Sequence, residues 1–424
     1  MKTTNAPSRD DSRRSVIIGK LSDTDVLGGH AQTSLAADRA TCRRKPKVCF
    51  VCKNIYPLLK YDDEAQFAGG AELQQLLMGR ELARRGYPVS YVTLDHGQGP
   101  VEDLDGLRAY AAFRPNDGIP GFRFFYPRLG GVLTAMRAAD ADIYYVRCAE
   151  YMLALVVWLT KRLGRRTVFC GANDPDFDPV ALRRRLSLRD RTMYQWGLRR
   201  CDAIVVQNRA QQALLERNYG RTACLIHNGL TACKQSTPTG YDILWIARFK
   251  PFKRPELFLE LASRLPHERF VMIGGSSTAE SAWFDQLATQ ASDLSNVEFL
   301  GFQTLSRVEK RLDQAKLLVN TSEHEGFPNT FLQAWSRGIP VLSFVDPDNL
   351  IKKERLGWAV ESLDQMVQVI RDRASGTQTQ LSSTIKGFFD RRLTIAAAVD
   401  RYERVFTSVV GPNAAPSSRM SSQS

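Results

Sequence analysis

The stretch that decides the fold reads Asn320-Thr-Ser-Glu-His-Glu-Gly-Phe-Pro-Asn-Thr-Phe-Leu-Gln-Ala-Trp-Ser-Arg-Gly-Ile-Pro-Val341. Apolar runs at Leu317–Asn320 and Val341–Phe344 flank it, and each is typical of a short buried strand. Between them a polar loop leads into a helix that begins near Pro328, because proline suits the first turn of a helix. A strand, a crossover helix and a second strand predict one unit of a parallel sheet.

The same alternation of strands and helices extends from this stretch through most of the chain. Amphipathic helices are predicted at Ala71–Arg85 and Pro255–Arg264, among others. Two consecutive doubly wound units predict an α/β protein with two Rossmann-like domains and a ligand crevice at the carboxyl ends of their strands. The other predicted strands are Val48–Cys52, Val89–Leu94, Asp142–Val146, Thr167–Cys170, Ala203–Val206, Ile243–Ile246, Phe270–Ile273 and Val297–Leu300.

Interruptions of this alternation predict the domain boundaries. The first residues are rich in Ser, Thr, Asp and Arg without periodicity, and the last ones have the same character. A polar stretch, Lys234–Gly240, separates the two domains. The predicted organisation is a disordered leader over 1–45, a first domain over 46–233, a linker over 234–240, a second domain over 241–390, a helix over 391–410 that crosses back to brace the first domain, and a disordered tail over 411–424.

The composition is typical of a globular protein, with 43% hydrophobic and 24% charged residues in a chain of 424. No apolar run reaches the roughly 18 residues of a membrane span, and the polar start, Met1–Asn5, lacks the apolar core of a signal peptide. We therefore expect a cytoplasmic protein.

The chain is basic, with a formal net charge of +13, and 11 Lys or Arg face 4 Asp between Lys161 and Arg200. Such a stretch attracts phosphates, anionic membrane or nucleic acid, and a solvated helix face explains it equally well. We predict peripheral contact with the inner membrane face and no nucleic-acid partner.

Cysteines and Asp pairs offer two apparent metal sites. Cys49 and Cys52 form a C-x-x-C inside a strand-like run, with no second pair at zinc-finger spacing, which favours buried reduced thiols over a metal or redox site. Asp174-Pro-Asp176 and Asp346-Pro-Asp348 are D-x-D strings, and Pro-Asp pairs are common turn formers. We predict no metal.

Two loops carry the chemistry. Glu325 precedes the predicted helix, where its carboxylate can accept hydrogen bonds from sugar hydroxyls, and the backbone N–H groups of Asn329 and Thr330 suit a diphosphate. Arg248 and Lys253 follow the strand Ile243–Ile246 and can neutralise the charge that develops on a departing diphosphate.

The stretch around Glu325 resembles the E-x7-E signature of family 4 of the retaining glycosyltransferases, which have the GT-B fold. Gln333 stands where that family usually has its second Glu, and an amide can still hydrogen-bond a ribose. The matching positions are Gly326, Phe327, Ala334, Gly338 and Pro340.

The resemblance implies roles for residues in both domains. The Arg and the Lys of the family recur at the same five-residue spacing in Arg248 and Lys253, which with Glu325 form the predicted catalytic set. Glu72, Asn173 and Asp174 are predicted on the acceptor side, although Glu72 in the first helical turn is also explained as a partner of the helix dipole. The predicted donor-binding residues are Gly69, Gly70, Gly274, Phe302, Phe327, Asn329, Thr330 and Gln333.

The resemblance also implies the function. The expected activity is that of a retaining, metal-independent hexosyltransferase, with a nucleotide-sugar as co-substrate and no cofactor. The acceptor would be a glycan, a lipid-linked or a small molecule, in bacterial polysaccharide or envelope glycan synthesis. A non-catalytic sugar-nucleotide-binding partner and an epimerase or phosphorylase on the same scaffold remain alternatives.

Overall fold

A computed structural model describes residues 44–60, 69–115, 117–118, 124–233, 242–276, 281–373 and 378–411. The predicted linker at 234–240 and almost all of the predicted leader and tail lie outside the described residues. Within them, the chain forms two sheets with helices packed on both faces of each.

The first sheet has eight strands in the order β3-β4-β2-β1-β5-β6-β7-β8. All neighbouring strands are parallel except β3 and β4, which form an antiparallel hairpin. The strands are β1 Val48–Val51, β2 Val89–Thr93, β3 Val101–Leu104, β4 Leu107–Ala111, β5 Ile143–Arg147, β6 Arg166–Cys170, β7 Ala203–Val206 and β8 Cys224–Leu225.

The hairpin of β3 and β4 was not predicted from the sequence. Asp105 and Gly106 join the strands with φ values of 53° and 80°, as a two-residue turn requires. An Asp-Gly pair is a strong hairpin signal, but β3 is largely exposed and lacks the apolar run that marked the predicted strands; β8 and β14, which are two and three residues long, were not predicted either.

Among the residues described before position 234, seven α-helices lie around the first sheet. They are α1 Tyr56–Leu59, α2 Gly70–Arg84, α3 Gly130–Ala139, α4 Met152–Arg162, α5 Pro179–Arg185, α6 Leu188–Arg200 and α7 Arg209–Tyr219. Cys49 and Cys52 are buried thiols between this sheet and its helices, and burial raises the pKa of Cys49 to about 12.

The second sheet has six parallel strands in the order β11-β10-β9-β12-β13-β14. The order changes direction at β9, between β10 and β12, so the carboxyl ends of β9 and β12 border a crevice. The strands are β9 Asp242–Ile246, β10 Arg269–Ile273, β11 Val297–Gly301, β12 Ala315–Asn320, β13 Val341–Ser343 and β14 Gly357–Ala359. The helices are α8 Pro255–Ser263, α9 Ser281–Ser292, α10 Leu305–Leu312, α11 Asn329–Trp335, α12 Leu350–Lys353, α13 Leu363–Arg373 and α14 Gln378–Arg392.

The last helix, α15 Ile395–Val410, returns to the first domain as predicted. The Tyr402 hydroxyl lies 3.2 Å from that of Tyr145, deep in the first core. Arg85 forms ion pairs with Asp400 at 2.6 Å and with Glu403 at 2.8 Å. Two parallel α/β sheets and a helix that crosses back confirm the predicted fold class. Among the helices described, none has the length and apolar character needed to span a membrane.

Candidate active site

The loops that follow β9 and β12 are held together as one unit. The Thr321 hydroxyl accepts a hydrogen bond from Trp245 Nε1 at 2.9 Å and donates to the carbonyl of Lys253 at 2.7 Å. Arg254 Nε donates to the Thr321 carbonyl at 2.7 Å, so this guanidinium braces the loops. The positions of Lys253 and of the residues after Thr321 are therefore fixed relative to each other.

Glu325 is anchored by one of its two carboxylate oxygens. Oε1 accepts hydrogen bonds from Lys253 Nζ at 2.5 Å, from the Ser322 hydroxyl at 2.7 Å and from Asn320 Nδ2 at 3.2 Å. The Glu325 side chain is only 8% exposed. Oε2 makes no hydrogen bond within the described part of the chain. The carboxylate is thus held in one orientation, with one oxygen left to accept hydrogen bonds from a ligand.

Arg248 extends from the end of β9 towards the first domain. A Cβ atom at Gly69 would overlap Nη2 of this guanidinium, so the absence of a side chain at Gly69 leaves room for it. The Arg248 side chain has no hydrogen-bond or ion-pair partner among the residues described. The structure thus brings the predicted catalytic arginine and the predicted Gly-Gly loop together across the crevice.

The Gly-Gly loop also joins the starts of α2 and α11. Asn329 Nδ2 donates to the Gly70 carbonyl at 2.9 Å, and a Cβ atom at Gly70 would lie 2.7 Å from that nitrogen. The Gly69 N–H donates to Glu72 Oε2 at 3.0 Å. Glu72 therefore caps α2, and its role towards an acceptor stays a prediction.

Asn228, which was not predicted from the sequence, is the centre of a polar network between the domains. Its Nδ2 donates to the Phe327 carbonyl at 2.8 Å and to Asn329 Oδ1 at 3.2 Å, while its Oδ1 accepts from Arg147 Nη2 at 2.8 Å. Gln74 Nε2 adds a bond of 3.1 Å to the same Asn329 oxygen. Ligands bind at the carboxyl ends of parallel strands, so a polar residue shortly after a strand is a candidate site residue. This signal could have identified Asn228.

The predicted acceptor-side residues are occupied by neighbouring groups. Asp174 Oδ1 accepts from Asn208 Nδ2 at 2.9 Å and from Gln211 Nε2 at 3.1 Å. Asn208 Nδ2 also donates to the Gly326 carbonyl at 2.9 Å, across the crevice. Burial raises the pKa of Asp174, and these two hydrogen bonds only partly oppose the shift. Asn173 caps the short 3-10 turn Asp174–Phe177.

The D-x-D string at 346–348 has structural partners. Asp348 Oδ2 lies 2.9 Å from His227 Nε2, and Oδ1 accepts from the Arg209 N–H at 2.8 Å, so this carboxylate joins the domains. Asp346 accepts from the Ile351 N–H at the start of α12. Burial opposes ionisation of Asp348, but the hydrogen bonds with His227 and Arg209 hold its pKa below the ordinary value. The described residues contain no His, Cys, Asp and Glu cluster suited to a metal ion.

Three of the predicted donor-binding residues lie in contrasting surroundings. A Cβ atom at Gly274 would overlap the Ala247 carbonyl oxygen, so close packing beside β9 requires glycine there. Phe302 is 37% exposed and available to a ligand. Phe327 is 3% exposed, and its ring stacks on His227 with centroids 4.6 Å apart. The packing role of Phe327 between the domains was not anticipated.

Helix α11 carries the other predicted donor contacts. The backbone N–H groups of Asn329 and Thr330 have no acceptor in the described ranges, as expected for the start of a helix. Gln333 lies in the same helix, is 7% exposed and makes no side-chain hydrogen bond with the residues described. The roles of these three residues towards a nucleotide stay predictions.

Two family models match the chain, one in each domain. Residues 68–232 match the model described as Glycosyltransferase Family 4. Residues 240–374 match the model described as Glycosyl transferases group 1.

Curated relatives match over a shorter segment. A D-inositol 3-phosphate glycosyltransferase of Mycobacterium avium is 33% identical over 108 residues, which are 24% of this chain and 26% of that protein. The O-antigen biosynthesis glycosyltransferase WbnH of Escherichia coli is 31% identical over 102 residues, 24% of this chain and 28% of WbnH. The matched segment thus spans about a quarter of the length of these relatives.

Solved structures match over nearly the whole described chain. HepE from Anabaena, in complex with UDP and glucose, has a TM-score of 0.66 at 16% identity, covering 86% of this chain and 100% of that one. Sucrose-phosphate synthase from Thermosynechococcus elongatus has a TM-score of 0.67 at 17% identity, with coverages of 85% and 98%. At such identities these likenesses show the shared fold.

Proposed function

Because the chain belongs to the glycosyltransferases of group 1 and family 4, we propose that it transfers a sugar from a nucleotide-sugar donor with retention of the anomeric configuration. The observation that carries this proposal is the geometry of Glu325. One carboxylate oxygen accepts hydrogen bonds from Lys253, Ser322 and Asn320. The other oxygen is left to accept hydrogen bonds from sugar hydroxyls and so to orient the sugar.

Two cations in the crevice match the charge of a diphosphate. Arg248 has no partner in the described chain, and Lys253 is paired with Glu325. A bound diphosphate places a second anion beside Lys253, which then serves both the sugar-binding carboxylate and the leaving group. Fixed cations aimed at developing charge stabilise a transition state more than a bound substrate. We therefore propose that transfer requires no metal ion.

In the proposed reaction, the acceptor hydroxyl oxygen attacks the anomeric carbon on the face from which the diphosphate departs. The bond from the anomeric carbon to the phosphate oxygen breaks, and a bond to the acceptor oxygen forms. The hydroxyl proton passes to the departing phosphate. No protein nucleophile takes part, and catalysis rests on positioning and on charge stabilisation.

UDP-sugars are the first donors to test, because the HepE complex holds UDP and glucose. The acceptor is proposed to be a glycan or a lipid-linked molecule, since WbnH is named for O-antigen biosynthesis. We place the reaction at the cytoplasmic face of a membrane, which the chain contacts peripherally.

The test is incubation with radiolabelled UDP-sugars and GDP-sugars, each with and without lipid-linked and soluble glycan acceptors. A transferase forms labelled product only when donor and acceptor are both present. Conversion of the donor alone to another nucleotide-sugar would indicate an epimerase. Product formation from a labelled sugar 1-phosphate, supplied in place of the nucleotide-sugar, would indicate a phosphorylase. Tight binding of a nucleotide-sugar without turnover across the acceptor set would overturn the proposal in favour of a binding partner.

A further inference from the structure

An apolar groove lies on the first domain, on helices that do not contribute to the proposed active site. It has a volume of about 410 Å³ and runs between α4 and α6, with Leu129 from the segment before α3 at one end. Leu155 and Trp158 of α4 and Met193 and Trp196 of α6 line it. Water-facing apolar surface of this kind costs free energy unless something covers it.

Each of the two helices places an arginine beside a tryptophan that lines this groove. The Arg162 guanidinium lies over the Trp158 ring at 4.2 Å, and that of Arg200 lies over the Trp196 ring at 4.8 Å. Helix α6 lies within the stretch from Lys161 to Arg200, in which 11 Lys or Arg face 4 Asp, and α4 ends at the start of that stretch. Each indole therefore lines the groove and has an arginine guanidinium over its ring.

Further exposed apolar side chains lie at the ends of the same two helices and before α3. Leu163, just after α4, is 42% exposed, and Leu188, the first residue of α6, is 70% exposed. Tyr126, shortly before α3, is 78% exposed. Large apolar residues beside Trp and Arg are the composition with which peripheral proteins enter the boundary between headgroups and acyl chains.

We propose that this groove binds a hydrocarbon chain of an anionic phospholipid, so that α4 and α6 seat the protein on a negatively charged bilayer. The charge pattern indicates an anionic phospholipid, because its acyl chain can fill the apolar groove while its headgroup pairs with Arg162 and Arg200. A nucleic acid would satisfy the cations and leave the groove uncovered. The proposal rests on the proposed membrane contact and names the site that makes it.

The test uses the full chain with vesicles of phosphatidylcholine, with and without phosphatidylglycerol, whose acyl chains carry bromine as a fluorescence quencher. Trp158 and Trp196 are the two tryptophans of the first domain, and the other four lie in the second. We expect binding only to the anionic vesicles, weakened by salt because attraction is screened beyond roughly 10 Å at 0.1 M. Quenching should disappear in the variant that combines Trp158→Phe and Trp196→Phe. Trp358→Phe, whose ring also carries an arginine at 5.3 Å, is the matched control and should keep it.

A charge introduced into the groove distinguishes insertion of acyl chains into the groove from adsorption of the protein by surface charge. Thr192 lines the groove and is exposed, so Thr192→Glu should fold and lower vesicle affinity at least tenfold. Thr407→Glu, at an exposed position of α15, should leave the affinity unchanged. Arg162→Glu and Arg200→Glu should also weaken binding at least tenfold, whereas Arg217→Glu in α7, also exposed, should weaken it far less.

Vesicle binding without bromine quenching would overturn the groove as the lipid site, because the bilayer would then be held by surface charge alone. The absence of vesicle binding at low salt would overturn the proposal and leave a partner protein as the occupant. Release of nucleoside diphosphate with a soluble acceptor is measured in parallel. Transfer that persists without vesicle binding would contradict this inference alone and leave the proposed transferase activity standing.

Discussion

The two walls of the crevice differ in what their polar residues bind. On the wall of the second domain, Glu325 is held by Lys253, Ser322 and Asn320, all from that same domain. On the wall of the first domain, Asn208 and Asn228 donate across the crevice to carbonyls of Gly326 and Phe327. One wall is organised for a ligand by itself, whereas the polar groups of the other wall hold the domains together.

This difference has an energetic consequence. The Glu325 and Lys253 side chains are mostly shielded from water, so removal of either partner leaves a poorly solvated charge. The contacts across the crevice are shared among many hydrogen bonds, each contributing about 0.5–1.5 kcal/mol. Single substitutions on the second-domain wall should therefore affect chemistry sharply, and those on the first-domain wall should affect closure more gradually.

The largest effect is expected at Glu325. Glu325→Gln keeps the shape but removes the charge that pairs with Lys253 and that is proposed to orient the donor sugar, and turnover should fall by roughly 10²–10⁴. Steady-state transfer and circular dichroism measure activity and folding. Glu323→Gln, at an exposed site two residues away, is the matched control and should keep its activity. Near-normal turnover of a folded Glu325→Gln protein would show that this wall is not the catalytic one.

The next largest effect is expected at the two cations. Arg248→Ala and Lys253→Ala should each lower kcat by roughly 10²–10³ and raise KM less, because the charge they oppose is larger in the transition state than in the bound donor. Lys253→Arg should restore activity only in part, since a planar guanidinium does not replace an ammonium as a point charge.

Arg254→Ala is the comparison variant for the kinetics of Arg248→Ala and Lys253→Ala. Arg254 braces the Thr321 and Ser322 carbonyls, so its removal should lower the thermal midpoint of unfolding as well as activity. If Lys253→Ala raised KM without lowering kcat, the lysine would serve ground-state binding rather than catalysis.

A moderate effect is expected at the His227–Asp348 pair that joins the walls. Asp348→Asn should lower the free energy of unfolding at pH 7 by about 1.5–3 kcal/mol, the range for hydrogen bonds to a charged group. The folded-state pKa of Asp348 is lowered, so its contribution is present above the ordinary Asp pKa and is lost as the pH falls through the lowered value. The two proteins should converge in stability in acid.

Denaturant unfolding at a series of pH values measures this difference. Asp364→Asn removes an exposed carboxylate that pairs with Arg264 and should change stability little at any pH. A difference between wild type and Asp348→Asn that stays constant into acid would mean that the Asp348 charge does not stabilise the closed crevice.

The smallest effect is expected at Gln333. Gln333→Leu should raise the donor KM about 2–10-fold, as expected for one lost hydrogen bond, and leave kcat near its original value. Gln333→Glu should keep activity, because a carboxylate also accepts from ribose hydroxyls. Titration calorimetry with the nucleoside diphosphate checks the binding step. Unchanged constants in Gln333→Leu would place the nucleotide elsewhere on the wall of the second domain.

The contrast between the walls also explains what the sequence predicted. Glu325, Arg248 and Lys253 could be predicted at the crevice because local segments position them, each after a strand of the second sheet, and their catalytic roles stay predictions. Strands β3, β4, β8 and β14 were not predicted, whereas the other strands described were found from their apolar runs, which a buried parallel sheet requires. Such features depend on neighbours in the sequence.

Residues that act across the crevice could not be found in this way. His227 pairs with Asp348, which is 121 residues away in the sequence. Asn208 donates to the carbonyl of Gly326, which is 118 residues away. The burial of Phe327 against His227 likewise depends on how the domains meet. Only the three-dimensional arrangement reveals that these polar side chains join the walls and that Arg254 braces a loop.

The most direct test of the account is the anomeric configuration of the product formed in the presence of EDTA. Proton NMR of a reaction with an α-linked UDP-sugar and its acceptor reports the product linkage and the release of UDP together. A retaining, metal-independent wild-type enzyme should form an α-linked product at an unchanged rate in EDTA. A β-linked product, or a reaction abolished by EDTA and restored by Mg²⁺ or Mn²⁺, would contradict the proposed mechanism.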